Sequence, residues 1–112
     1  MTIEDFSKLA KARFDYCYQL LTTTKHTEYT RDGDKLYSFK RAGEILRCSP
    51  ERALIGMWVK QVVSIIDIVE DIEKHRPWEE DLKSFMMLNE KITDVVDYPV
   101  LLEGLIKERV GG

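Results

Sequence analysis

The stretch 49-SPERALIGMWVKQVVSIIDIVEDIEKH-75 decides the fold. Ser49 offers a capping oxygen, Pro50 suits the first helical position, and Glu51 complements the positive end of the helix dipole. A helix is therefore predicted from this boundary to about His75, roughly 26 residues and so about 39 Å at 1.5 Å per residue. Apolar residues occupy most of its circumference, which predicts a central position among other helices. Lys60, Asp67, Glu70 and Asp71 interrupt its greasiest part, Ala53 to Ile72, so it falls short of the ~20 apolar residues of a membrane span. Lys60, Ser64, Asp67 and Asp71 follow one another at intervals of four, three and four residues, which sets them on one side of the helix.

Upstream, Thr2 with Glu4 and Asp5 is a helix start, and Phe6, Leu9, Ala10, Cys17, Leu20 and Leu21 recur at helical spacing to about Thr24. The run 22-TTTKHTEYTRDGD-34 combines β-branched threonines, polar residues and Asp32-Gly33, a composition that predicts one long loop. Leu36, Phe39, Ala42, Gly43 and Leu46 then mark a short amphipathic helix ending near Arg47 and Cys48. Gly43 is placed to let another helix approach.

Downstream, His75-Arg76-Pro77-Trp78 breaks the pattern, because the residue before proline is pushed out of helical geometry. Residues from Trp78 to Leu88 begin a further helical pattern. Ile92, Val95, Val96, Leu101, Leu102, Leu105 and Ile106 define the last one, with Pro99 inside it. Proline removes the amide that would bond the Val95 carbonyl, which predicts a kink beside Tyr98. Gly111-Gly112 is expected to be a flexible tail. The resulting expectation is a single all-α domain over 1–112: a small bundle of four to five helices, a long helix 3 and a kinked C-terminal helix.

Composition narrows the function. The chain has 112 residues, 44% hydrophobic and 33% charged, which suits one globular core. Seventeen basic against twenty acidic side chains give a net charge of −3, so no specific nucleic-acid binding is expected. Cys17 and Cys48 have no framework or metal-finger spacing, and no signal-peptide pattern opens the sequence, which predicts reduced thiols and a cytoplasmic protein. Glycine-rich phosphate loops and nucleophile elbows are absent from the sequence.

The candidate chemistry lies in 90-EKITDVVDY-98. Glu90, Asp94 and Asp97 fall within about 60° of one another on a helix, and Leu101 and Leu105 continue that side. Carboxylates at the edge of a core require a cation, a metal ion or hydrogen-bond donors. Two readings stand: a Mg²⁺ or Mn²⁺ site, or a structural ion-pair network involving Lys60 and arginines. Asp67 and Glu70 on helix 3 are the further ligands expected for a metal. Lys60 is also a candidate phosphate contact. His26 and Tyr29 in the long loop are candidates to stack on or hydrogen-bond a base, and Tyr98 is placed by the Pro99 kink to touch a ligand.

The order of these pieces resembles the phage and bacterial nucleotide-modification-associated domain 1 family, with its MazG-like all-α pyrophosphohydrolase relatives. The likeness spans about residues 26 to 106: Tyr29 in the loop, Phe39 on the next helix, Ser49-Pro50-Glu51 opening helix 3, Lys60, then Glu90, Asp94 and Tyr98. The resemblance implies a helical, oligomeric nucleotide-binding protein. In the MazG branch it implies Mg²⁺ held by Glu-x-x-Glu on one helix and Glu-x-x-Asp on the next. Here Asp67-x-x-Glu70 and Glu90-x-x-x-Asp94, with Asp94-x-x-Asp97, replace those motifs, and a Tyr-Gly-His-Pro loop run is missing. The expected functions are Mg²⁺-dependent hydrolysis of nucleoside polyphosphates, with Asp94, Glu90 and Lys60 catalytic, or sequestration of nucleotide signals of host antiviral defence. A partner-binding helical module is the third. A homo-oligomer is expected also because so small a bundle carries more apolar surface than one core needs.

Overall fold

The computed structural model describes residues 1–23, 33–74 and 82–111. They form four helices: α1 (Ile3–Thr22), α2 (Tyr37–Leu46), α3 (Pro50–Lys74) and α4 (Leu82–Arg109). The fold is an all-α bundle. Helices α3 and α4 form its central pair, α2 packs on α3, and α1 packs on α4. His26, Tyr29, His75 and Trp78 lie outside the described residues, as does most of the predicted loop over 22–34.

Local chemistry accounts for the helix ends. The Asp5 amide donates to Thr2 Oγ1 at 3.0 Å, and the Arg52 amide donates to Ser49 Oγ at 3.1 Å, each capping a first turn whose amides have no intrahelical partner. Helix α2 stops at Arg47, whose φ of 55° lies in the left-handed region, and the Cys48 amide donates back to the Gly43 carbonyl at 2.9 Å. This turn, rather than a neighbouring helix, requires glycine at 43. A Cβ there would stand 2.8 Å from the Cys48 carbonyl oxygen and 3.0 Å from the Pro50 nitrogen.

Pro99 lies inside α4, which continues to Arg109. The Val95 carbonyl, deprived of its helical donor by the proline ring, accepts instead from the Trp58 indole N–H at 3.1 Å. That bond fixes α3 against α4. Trp58→Phe keeps the packing but strands a half-buried carbonyl, so it should lower stability by about 1–3 kcal/mol. Chemical denaturation measures the loss; an unchanged midpoint would show that the carbonyl had found another donor.

The core follows from the same pair. Leu36, Phe39, Leu54, Tyr98, Leu101 and Leu105 are buried together. Phe39 and Tyr98 meet edge to face with centroids 5.9 Å apart, a geometry that aligns ring edge with ring face. At the far end Arg109 grips Glu51 through two bonds of 2.6 and 2.8 Å. This bidentate pair joins the start of α3 to the end of α4.

The Arg109 guanidinium holds the Glu51 carboxyl down to about 2, from an ordinary 4.5. Because the folded value is the lower one, the pair stabilises fully above about pH 4.5 and its contribution disappears as pH falls toward 2. Glu51→Gln should therefore melt below the wild type at neutral pH, with the gap closing over that acid window. A gap independent of pH would show that packing, not charge, makes the difference.

Candidate functional site

The acidic turn of α4 grades from solvent to core. Glu90 is exposed, Asp94 is half-buried, and Asp97 is only 7% exposed. Asp94, Asp97 and Tyr98 line a small pocket with Leu20 and Leu21 from the end of α1, and with Lys35 just before α2. Its enclosed volume of about 20 Å³ is room for one water molecule or one polar atom of a ligand. Tyr98 is 4% exposed, so its ring serves the core first and the pocket at its edge.

A second polar group occupies the α1/α4 seam one to two turns away. Arg13 donates to Thr93 Oγ1 at 2.6 Å, to the Asn89 carbonyl at 3.3 Å and to Asn89 Oδ1. Thr93 is itself buried and donates to the Asn89 carbonyl at 2.8 Å. One turn along α1, the Cys17 thiol is buried beside the Asp97 carboxylate. Burial pushes this thiol up to about 11, and Asp97 adds to the rise while Arg13 opposes it. Cys17 is therefore a protonated thiol at neutral pH and not a nucleophile.

Helical geometry explains where helix 3 departs from expectation. Trp58 faces α4 through its bond to Val95, and at about 100° per residue Lys60 and Asp67 point roughly 160° and 180° away from it. Lys60, Asp67, Glu70 and Asp71 are exposed, and Ser64 spends its hydroxyl on the Lys60 carbonyl at 3.1 Å. The polar stripe therefore faces outward. It does not form the opposite wall of a seam with Glu90, Asp94 and Asp97.

The cation at the pocket is Lys35, and the one on the buried seam is Arg13. Sequence reading missed both. Arg13 had a signal: it falls between Leu9 and Cys17 at core spacing on α1, where a charged residue requires partners. Lys35 had none, because its place on the Asp94 pocket comes from tertiary packing and not from a local pattern. Among the described residues no three carboxylate, histidine or cysteine side chains gather into a metal-binding group. A closed protein cage of Asp94 and Asp97 with Glu90, Asp67 and Glu70 does not fit.

A larger cleft of about 530 Å³ lies farther along α1 and α4, lined chiefly by Leu9, Tyr16, Phe85, Leu88 and Ile92. It is apolar and broadly open. No helix among the described residues is long and apolar enough to cross a membrane. Comparison with protein-family models, with curated proteins and with solved structures finds no match for this chain.

Proposed function

We propose that the protein binds a nucleotide at the mouth of the Lys35–Asp94 pocket and holds it without hydrolysing it. The observation that supports this reading is the placement of one lysine and one half-buried carboxylate on a single pocket, at the edge of the core. Lys35 supplies a point charge for a phosphate oxygen. Asp94 accepts from a sugar hydroxyl or a base N–H, and its charge excludes ligands that lack a donor there. Asp97, buried beside the Cys17 thiol, forms the wall of the pocket rather than a contact to the ligand. The family resemblance supplies the nucleotide, and sequestration of a host defence signal is the biological role that a non-hydrolysing binder would serve.

A second reading keeps catalysis. Asp94 and Asp97 stand one turn apart on one pocket, and they would be the residues to hold Mg²⁺ or Mn²⁺, hard cations that take carboxylate oxygens. Such an ion would polarise the phosphoryl group, while Lys35 steadies the developing charge and Asp94 orients a water. The outward stripe of Lys60, Asp67 and Glu70 favours the metal-free reading, since it removes three residues expected at the reacting centre. Incubation with a nucleotide panel and Mg²⁺, followed by chromatography of free and protein-released ligand, separates the two. Intact ligand released on denaturation supports binding alone; a new product assigns hydrolysis. A panel that leaves the melting temperature unmoved overturns both and points to a partner-binding module.

A further inference from the structure

We infer that α1 is a gate over the Lys35–Asp94 pocket, undocking from α4 as a unit while α2, α3 and α4 stay folded, so that the pocket exists only while α1 is seated. Its walls come from different helices. Asp94, Asp97 and Tyr98 stand on α4, and Leu20 and Leu21 line the pocket from the last turn of α1. Lifting α1 removes that apolar wall and leaves the carboxylates facing water.

The attachment of α1 is weak in apolar contact and mostly polar. Of its 20 residues only Cys17 is buried, and residues 1–9 are all exposed. To the buried core of Leu36, Phe39, Leu54, Tyr98, Leu101 and Leu105 it adds only the partly buried Leu21. The two buried polar residues among those described, Thr93 and Asp97, both lie under α1: Thr93 accepts from Arg13 at 2.6 Å, and Asp97 lies beside Cys17. Opening an apolar seam exposes hydrocarbon and costs in proportion to its area. Each group of a polar seam exchanges its partner for water, which recovers most of the loss. Helices α3 and α4 share a seam of the first kind, α1 and α4 one mainly of the second. Units with few buried apolar contacts are those that open below the global transition.

Gating couples to the ligand. A nucleotide at the mouth of the pocket lies against both walls, so it binds the seated form better and draws α1 down; this half of the inference rests on the nucleotide reading above. The apparent affinity is then scaled by the fraction of molecules whose α1 is seated. Cys17 reports the movement without any ligand. Its thiol is buried in the same seam, beside Asp97, a residue of the pocket wall, so the motion that opens the pocket also uncovers the thiol.

Labelling of Cys17 by an excess of a disulfide reagent, across a series of sub-denaturing urea concentrations, tests this on the full chain. Cys48, the other free cysteine, is replaced by serine throughout. Labelling should rise with urea much less steeply than global unfolding does, because opening α1 exposes far less surface than unfolding the chain. Arg13→Ala should speed it at least tenfold, whereas Trp58→Phe, which weakens the α3–α4 pair, should leave it unchanged. A nucleotide that binds by calorimetry should slow it at least tenfold at saturation. A urea slope equal to the global one, an Arg13→Ala variant labelled no faster, or a Trp58→Phe acceleration that matches its loss of stability would each overturn the gate. A bound nucleotide that leaves labelling unchanged would overturn closure over the ligand and leave the binding standing. If no nucleotide binds, the nucleotide reading fails, and the urea slope still decides whether α1 opens alone.

Discussion

Gly43→Ala should destabilise the protein by about 2 kcal/mol, although helix propensity alone predicts the opposite sign. Alanine gains roughly 1 kcal/mol over glycine in a helix interior. Against that, the new Cβ would meet the Cys48 carbonyl oxygen at 2.8 Å, the Pro50 nitrogen at 3.0 Å and the Ser49 carbonyl carbon at 3.1 Å. All three are backbone atoms of the turn that sets α3 on its course, so none can rotate aside. Overpacking of this kind costs on the order of 3 kcal/mol, which outweighs the propensity gain. Urea denaturation decides between the two effects. A more stable variant would mean that the α2–α3 turn relaxes freely.

Arg13→Ala should release α1 from the bundle while leaving α3 and α4 intact. Helix α1 buries one residue, Cys17, and leaves Ile3, Phe6 and Leu9 exposed, so apolar contact holds it weakly. The Arg13 bonds to Thr93 and Asn89 carry much of its attachment, and hydrogen bonds to a charged group contribute about 1.5–3 kcal/mol each. Hydrogen exchange should show α1 amides losing at least tenfold in protection, with α3 and α4 amides little changed. Arg13→Lys should not rescue it, because a single ammonium cannot span both acceptors as the planar fork does. Uniform loss across all helices would show instead that α1 folds as one unit with the core.

These residues also show what the sequence could and could not disclose. Ser49-Pro50-Glu51 places the start of α3, because capping and dipole chemistry are local. The end of that helix and the entry to α4 were harder: Pro77 and the scattered apolar residues after it left open a separate fifth helix, whereas one helix runs from Leu82 to Arg109. Pro99 stays within it because Trp58 meets the orphaned carbonyl, a contact between residues 37 positions apart that no local pattern encodes. Helix 3 misled for a different reason. Spacing assigns Lys60, Ser64, Asp67 and Asp71 to one side, but with apolar residues on two faces it cannot say which face meets α4.

At the site, the edge-of-core position of Asp94 and Asp97 was legible from periodicity. Their neighbours were not. Lys35 reaches the pocket and Cys17 reaches Asp97 from other elements, and such pairings depend on how helices dock. The acids consequently left two readings open, a metal site or an ion-pair network. In the fold Asp97 is buried beside a thiol and Asp94 shares a pocket with a lysine.

The central claim is metal-independent nucleotide binding at Lys35 and Asp94. Titration calorimetry of a nucleotide panel in excess EDTA, on the wild type and on Lys35→Glu, tests it directly. At least one nucleotide should bind the wild type in EDTA, and Lys35→Glu should weaken that binding at least tenfold, about 1.4 kcal/mol, with its melting temperature unchanged. Binding that vanishes in EDTA, or that Lys35→Glu leaves intact, would contradict the account.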